Sequence, residues 1–74
     1  MGLRARVYEA IKSKPDTPEG IAQRLREPVL NVRPRCSELA ARGLIEDSGS
    51  RGDAMGGKRA IVWWIVAPGD ELPA

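Results

Sequence analysis

The sequence contains no histidine and no phenylalanine, and its 74 residues include a single cysteine, Cys36. With one thiol there is no internal disulfide framework, which excludes the stapled architecture of very small secreted domains. Lacking histidine and a second cysteine, the chain has no ligand set for a structural zinc site, and no metal is expected. The same gaps remove the usual general base and the base-activated nucleophile, and no carboxylate pair stands out, so no enzymatic activity is expected. No cofactor and no small-molecule substrate are expected either. No apolar run approaches the ~20 residues of a membrane helix and no signal peptide opens the sequence, so a cytoplasmic protein without membrane contact is expected. An excess of one charge is also missing: twelve basic and ten acidic residues give +2. Where that charge sits therefore matters more than its total.

A chain of this length buries only about 60% of the surface its unfolded form exposes, enough for one modest core. Leu3, Val7 and Ile11, with Ala10 beside them, recur at helical spacing from Leu3 to Lys14. Lys12 and Lys14 suit the negative end of that helix, and Pro15 stops it. Thr17-Pro18-Glu19 then reads as a second helix start: a capping hydroxyl, a proline at the first position and an acid in the first turn. Ile21, Ala22 and Leu25 give this helix its buried side.

A third helical pattern passes through Val32, Cys36, Leu39 and Ala40 to Gly43, a residue suited to a left-handed cap. Its start has two solutions. Asn31 as N-cap would place Pro34 in the first turn, where its missing N–H costs nothing. A start at Pro28 would put Pro34 inside the helix with a local distortion. The first is favoured on that ground.

After Gly43 the period becomes that of strands. Leu44 to Ser48 and Arg59 to Val66 (RAIVWWIV) form a hairpin, with the glycine-rich stretch Gly49 to Lys58 as its tip. Residues 1–66 form one domain, and 67–74 (APGDELPA) a loose tail. On the second strand Trp63, Ile61 and Ile65 share the core face. Trp64 faces away with Ala60 and Val62, which marks it either as packed on the first helix or tail, or as a candidate interface for a second copy or a protein partner.

The apolar positions Ile21-Ala22…Leu25, Val32, Cys36 and Leu39, the step Gly43-Leu44-Ile45, and the segment NVRPRCSELAARGLIEDSGSR with AIVW in the returning strand resemble winged helix-turn-helix DNA-binding domains. The likeness is to small winged-helix proteins of bacteria and their prophages, over about residues 3–66. Two departures are Arg26-Glu27 in the inter-helix turn, where glycine and a hydrophobe are usual, and Cys36, where leucine is common. The resemblance implies a mainly helical α+β fold of three helices followed by a two-stranded antiparallel wing. It implies double-stranded DNA as partner and a role in transcription regulation. The recognition helix, about residues 31–42, would enter the major groove, and the wing, 49–59, would lie on adjacent backbone or minor groove.

At about 100° per residue the third helix turns Leu30, Pro34, Ser37 and Ala41 outward, with Arg33 and Arg35 on the flanks. Arginines so placed suit phosphate walls or guanine edges, though each can equally be a solvated surface residue. Asn31 has a second use as an adenine or phosphate contact. Glu38 disfavours phosphate and can pair with Arg35 or Arg42. The wing contributes Arg51, Lys58 and Arg59 against Asp53. Asn31 to Arg42 carries three arginines and one glutamate, and Gly49 to Arg59 three bases and one aspartate, a local +2 each. The tail brings −2 through Asp70 and Glu71. Neutralising about five phosphates would give a log–log salt slope near −4.5. The DNA-contact set is thus Asn31, Arg33, Pro34, Arg35, Ser37, Arg51, Lys58 and Arg59. A protein–protein winged-helix module is the alternative, since fold alone does not assign function.

Two short motifs carry nothing. Gly52 to Lys58 has the spacing of a phosphate-binding loop, but Arg59 replaces the required hydroxyl residue and a strand follows. Arg51-Gly52-Asp53 is a tripeptide without the extracellular context that would give it meaning.

Overall fold

The structure, a computed structural model, describes residues 2–53 and 59–66. In chain order it holds α1 (Leu3–Ser13), α2 (Pro18–Leu25), α3 (Val29–Ala41), β1 (Ile45–Asp53) and β2 (Arg59–Ile65). Three helices followed by a two-stranded antiparallel sheet make a mainly helical α+β, winged-helix-like fold, as the sequence led us to expect.

Each helix contributes one apolar stripe to a common core. Val7 and Ile11 come from α1, Ile21 and Ala22 from α2, and Val32, Cys36 and Leu39 from α3, with Ile45 closing the base of the hairpin. Complete burial of an aliphatic side chain such as Ile21 contributes about 1.5–3 kcal/mol. Trp63 and Ile65 pack against this cluster, while Ile61, farther along the hairpin, is only half-buried beyond it. Trp64 is exposed.

The helix ends explain most of the chain's direction changes. The Thr17 hydroxyl accepts from the Gly20 N–H at 3.1 Å, capping α2 as the sequence indicates, with Pro18 at the first position. At the other end of α2, the Glu27 N–H donates to the Ala22 carbonyl and the Arg26 N–H to the Gln23 carbonyl. That paired closure needs a left-handed residue, and Arg26 supplies it at φ +57°. The same closure ends α3: Gly43, at φ +74°, donates to the Ala40 carbonyl and Leu44 to that of Leu39, both at 3.0 Å.

The start of α3 departs from the favoured reading. Pro28, not Asn31, is the N-cap, and the N–H groups of Asn31 and Val32 both donate to the Pro28 carbonyl. Asn31 lies within the first turn and Pro34 inside the helix. A proline in a helix interior costs ~3 kcal/mol when it orphans a buried carbonyl and forces a kink. Here the carbonyl that loses its donor belongs to Leu30, whose residue is 74% exposed, so water can take the acceptor. The early start also brings Val29 against the core.

The hairpin departs as well. β1 continues past Ser48 to Asp53, and of the residues expected in the loop Arg51, Gly52 and Asp53 are paired strand. The ladder pairs Ile45 with Ile65 and Asp47 with Trp63, then resumes at Arg51 opposite Ile61. Between these points Ser48, Gly49 and Ser50 stand opposite Val62 alone. Gly49, at φ +89°, absorbs the excess, and its N–H donates to Asp47 Oδ1 at 2.8 Å. The expected tip at 54–58 and the expected loose tail at 67–74 lie outside the described residues. One pairing is additional: Trp63 and Asp16 exchange N–H···O bonds of 2.9 and 3.2 Å. The hairpin is thereby tied to the segment that precedes α2.

Candidate nucleic-acid interface

The outward side of α3 is open along its length. Leu30, Asn31, Arg33, Pro34, Ser37 and Ala41 are all exposed, opposite the buried Val32, Cys36 and Leu39. Their spacing follows from the core-facing stripe: once that stripe is buried, the complementary positions face water.

The two arginines assigned to the flanks of this helix turn in different directions. Arg33 reaches toward α2, where its Nη2 donates to Glu19 Oε2. The Glu19 side chain is only 14% exposed, whereas that of Arg33 is 54% exposed. This hydrogen bond holds the Glu19 carboxyl below its ordinary range, against desolvation, which raises it. Arg35 lies closer to the buried arc and is half-buried. Its Nη2 donates to Glu38 Oε2 at 2.9 Å, and its Nε lies 2.9 Å from Oε1, in ion-pair contact but off the hydrogen-bond direction. Arg4 of α1 approaches the same carboxylate at 3.6 Å. Glu38 therefore links α3 to α1 through Arg4 and holds Arg35 along its own helix, while Arg33 stays at the rim of the open face.

On the hairpin, Arg51 is exposed and donates to both carboxylate oxygens of Asp47, at 2.9 and 3.0 Å. The Arg51 hydrogen bond, followed by that from the Gly49 N–H, holds the Asp47 carboxyl below its ordinary range. Arg59 is exposed at the first position of β2, opposite Asp53. Lys58 lies outside the described residues. The far part of the hairpin is anchored over the start of α2. A Cβ on Gly52 would sit 2.8 Å from Thr17 Cγ2, beside the Asp16–Trp63 pairing. Glu19, which holds Arg33, belongs to that same first turn of α2.

Several working residues carry no signal in the sequence. Arg6 donates to Glu27 Oε2 at 3.0 Å and to the Leu25 carbonyl at 3.2 Å, joining α1 to the end of α2. Arg24 donates to the carbonyls of Ala10 and Lys14 and lies near Asp16. These are contacts between elements, invisible to a pattern read along one helix. Glu19 had a partial signal, since an acid in a first turn is noticeable, but that position predicts a dipole interaction and not a bond to Arg33. Arg26 and Arg42, at the turn before α3 and at its C-cap, are exposed and form no ion pair among the described residues.

Other chemistry is sparse. Burial, with the Glu19 charge second, pushes the Cys36 thiol up to about 11. Among the described residues no group of three or more potential ligand side chains is placed to hold a metal ion. A cavity of about 350 Å³ between α2 and the start of α3 is lined by Glu19, Ala22, Gln23 and Val29. No helix among the described residues is long and apolar enough to cross a membrane. Comparison with protein-family models, curated proteins and solved structures finds no match for this chain.

Proposed function

We propose that this chain binds double-stranded DNA as a small cytoplasmic regulator of transcription of bacterial or phage type. In this reading α3 lies in the major groove and the β1–β2 hairpin meets neighbouring backbone or minor groove. The observation that carries it is the open outward side of α3, with small residues Ser37 and Ala41 on it and Arg26, Arg33 and Arg42 around it. Small residues permit close approach of a helix to base edges, and cations at its margin meet the phosphates on either side. The exposed Arg51–Asp47 pair is no obstacle, because exposed pairs are worth only ~0–1 kcal/mol and a phosphate can replace a carboxylate, whereas Arg33 stays held by the mostly buried Glu19. Base-specific hydrogen bonding is modest, so phosphate contacts and DNA shape supply much of the affinity. One such unit covers a short site, and useful affinity calls for repeated sites, a second copy or a partner protein.

A protein–protein role is the second reading. It is favoured by the exposure of Leu30 (74%) and Trp64 (45%), large apolar side chains on two different elements. Fluorescence anisotropy with random-sequence duplex DNA across a salt series separates the two. The DNA reading expects binding that weakens with a log–log slope of several units. Absence of binding at low salt contradicts it, and Trp64→Ala against candidate protein partners then becomes the informative variant.

A further inference from the structure

Leu30, Pro34, Ser37 and Ala41 follow one another at spacings of four, three and four residues, so they form a single stripe along α3, and all four are exposed. The stripe is about 16 Å long, the length of about five base-pair steps. Its chemistry is unusual for a surface that meets nucleic acid. It holds no charge and no amide, and its one polar group is the Ser37 hydroxyl. The arginines that could read guanine from its margins are engaged elsewhere, Arg33 with Glu19 and Arg35 with Glu38. Beside this uncharged strip Arg26 and Arg42 are exposed and form no ion pair among the described residues, while Asn31 and the Glu38 carboxylate, held by Arg35, lie along one side. A major groove presents the matching arrangement: anionic walls and a floor on which thymine carries the one apolar group, its C5-methyl.

We propose that α3 reads thymine C5-methyl groups, with the Leu30–Pro34–Ser37–Ala41 strip selecting methyl-bearing, A·T-rich major groove over G·C-rich sequence. The inference rests on the DNA-binding reading and adds the class of sequence bound. Leu30 reaches farthest from the helix and makes the principal contact. Ser37, which can donate to or accept from any base, leaves the selection to the apolar positions. Burial of one methyl against these side chains corresponds to about a four-fold change in affinity per contacted thymine.

The test uses two alternating duplexes, one of adenine and thymine and one with every thymine replaced by uracil, which removes the C5-methyl and keeps the pairing edge. Anisotropy at one fixed low salt concentration should show the uracil duplex binding at least several-fold more weakly. A guanine–cytosine duplex made with 5-methylcytosine should likewise bind more tightly than its unmethylated form. The variant Leu30→Ala, at a fully surface position, should shrink both ratios. Equal binding of the thymine and uracil duplexes, with ordinary salt dependence in each, overturns the methyl-reading inference and leaves the DNA-binding reading intact. Failure of every duplex to bind at low salt overturns both and leaves the strip to a protein partner.

Discussion

Arg33 and Glu19 bond across the gap between α3 and α2, an exposed guanidinium held by a carboxylate that is itself mostly buried. The pair clips the two helices together and also occupies the cation nearest the open side of α3. In Glu19→Gln the ion pair becomes a hydrogen bond from the Arg33 cation to a neutral amide, and Arg33 is freer to turn to a phosphate. The variant is expected to steepen the log–log salt slope of DNA binding by about 0.9. An unchanged slope in a folded variant would mean that Arg33 already meets DNA, or never does.

Arg26 occupies a conformation that suits glycine. At φ +57° its Cβ crowds the following carbonyl, a cost of roughly 1–2 kcal/mol for an ordinary residue. Glycine removes that strain but loses more chain entropy on folding. The expected net gain for Arg26→Gly is about 0.5–1 kcal/mol, which raises the melting midpoint of a domain this size by about 3–6 °C. A lower midpoint would show that the Arg26 side chain contributes more to the fold than its strain removes.

Gly52 lies where the hairpin crosses the start of α2. Its missing Cβ leaves room for Thr17 Cγ2, at 2.8 Å from the ideal position, and Thr17 is itself fixed by its cap bond. Neither partner is the far end of a flexible chain, so Gly52→Ala must displace the hairpin. A loss of about 1–3 kcal/mol is expected, measured by urea denaturation. Unaltered stability would contradict the packing of hairpin on cap.

Cys36 reports on the core. Its thiol, pushed up to about 11, should react with an alkylating reagent at pH 8 roughly 100- to 200-fold more slowly than a free thiol on ionisation alone. The consequence for stability has a definite sign. The unfolded thiol ionises near pH 8.5, before the folded one, so its contribution is complete below that pH. It declines as the pH rises toward about 11. Rapid labelling of the native protein at pH 8 would contradict the burial.

Some of this was written plainly along the chain. Thr17-Pro18-Glu19 specifies a helix start through local chemistry, and Gly43 specifies an end, because caps depend on neighbours two to four residues away. The apolar stripes of Val7 and Ile11, or of Val32, Cys36 and Leu39, are legible because a helix repeats within a few residues. The start of α3 is not legible along the chain, because the cost of Pro34 depends on whether the Leu30 carbonyl meets water, which only the folded chain decides. Residues 49–53 look like loop because glycine and serine predominate there. Arg51 to Asp53 nevertheless pair, because Ser48, Gly49 and Ser50 are taken up in a bulge where Gly49 adopts a positive φ and its N–H donates to Asp47. The candidate site was legible as a helix face and not as a charge pattern. Arg33 and Arg35 were identifiable as flanking residues, but their carboxylate partners were not both local, since Glu19 lies in a different helix. The Asp16–Trp63 bridge involves one residue of no periodic run, and no local rule announces it.

The central claim is that the outward side of α3 enters the major groove, and Ser37 stands in the middle of that side. It is exposed and mid-helix, so Ser37→Glu and Ser37→Ala should both fold, with glutamate a good helix former. The measurement is the affinity of both variants and the parent for random-sequence duplex DNA at one low salt concentration. The account expects Ser37→Ala to bind like the parent and Ser37→Glu to lose binding by at least ten-fold, about 1.4 kcal/mol, from a carboxylate brought against base edges and phosphates. Parental affinity in Ser37→Glu, with the helix content unchanged, would contradict groove docking by α3.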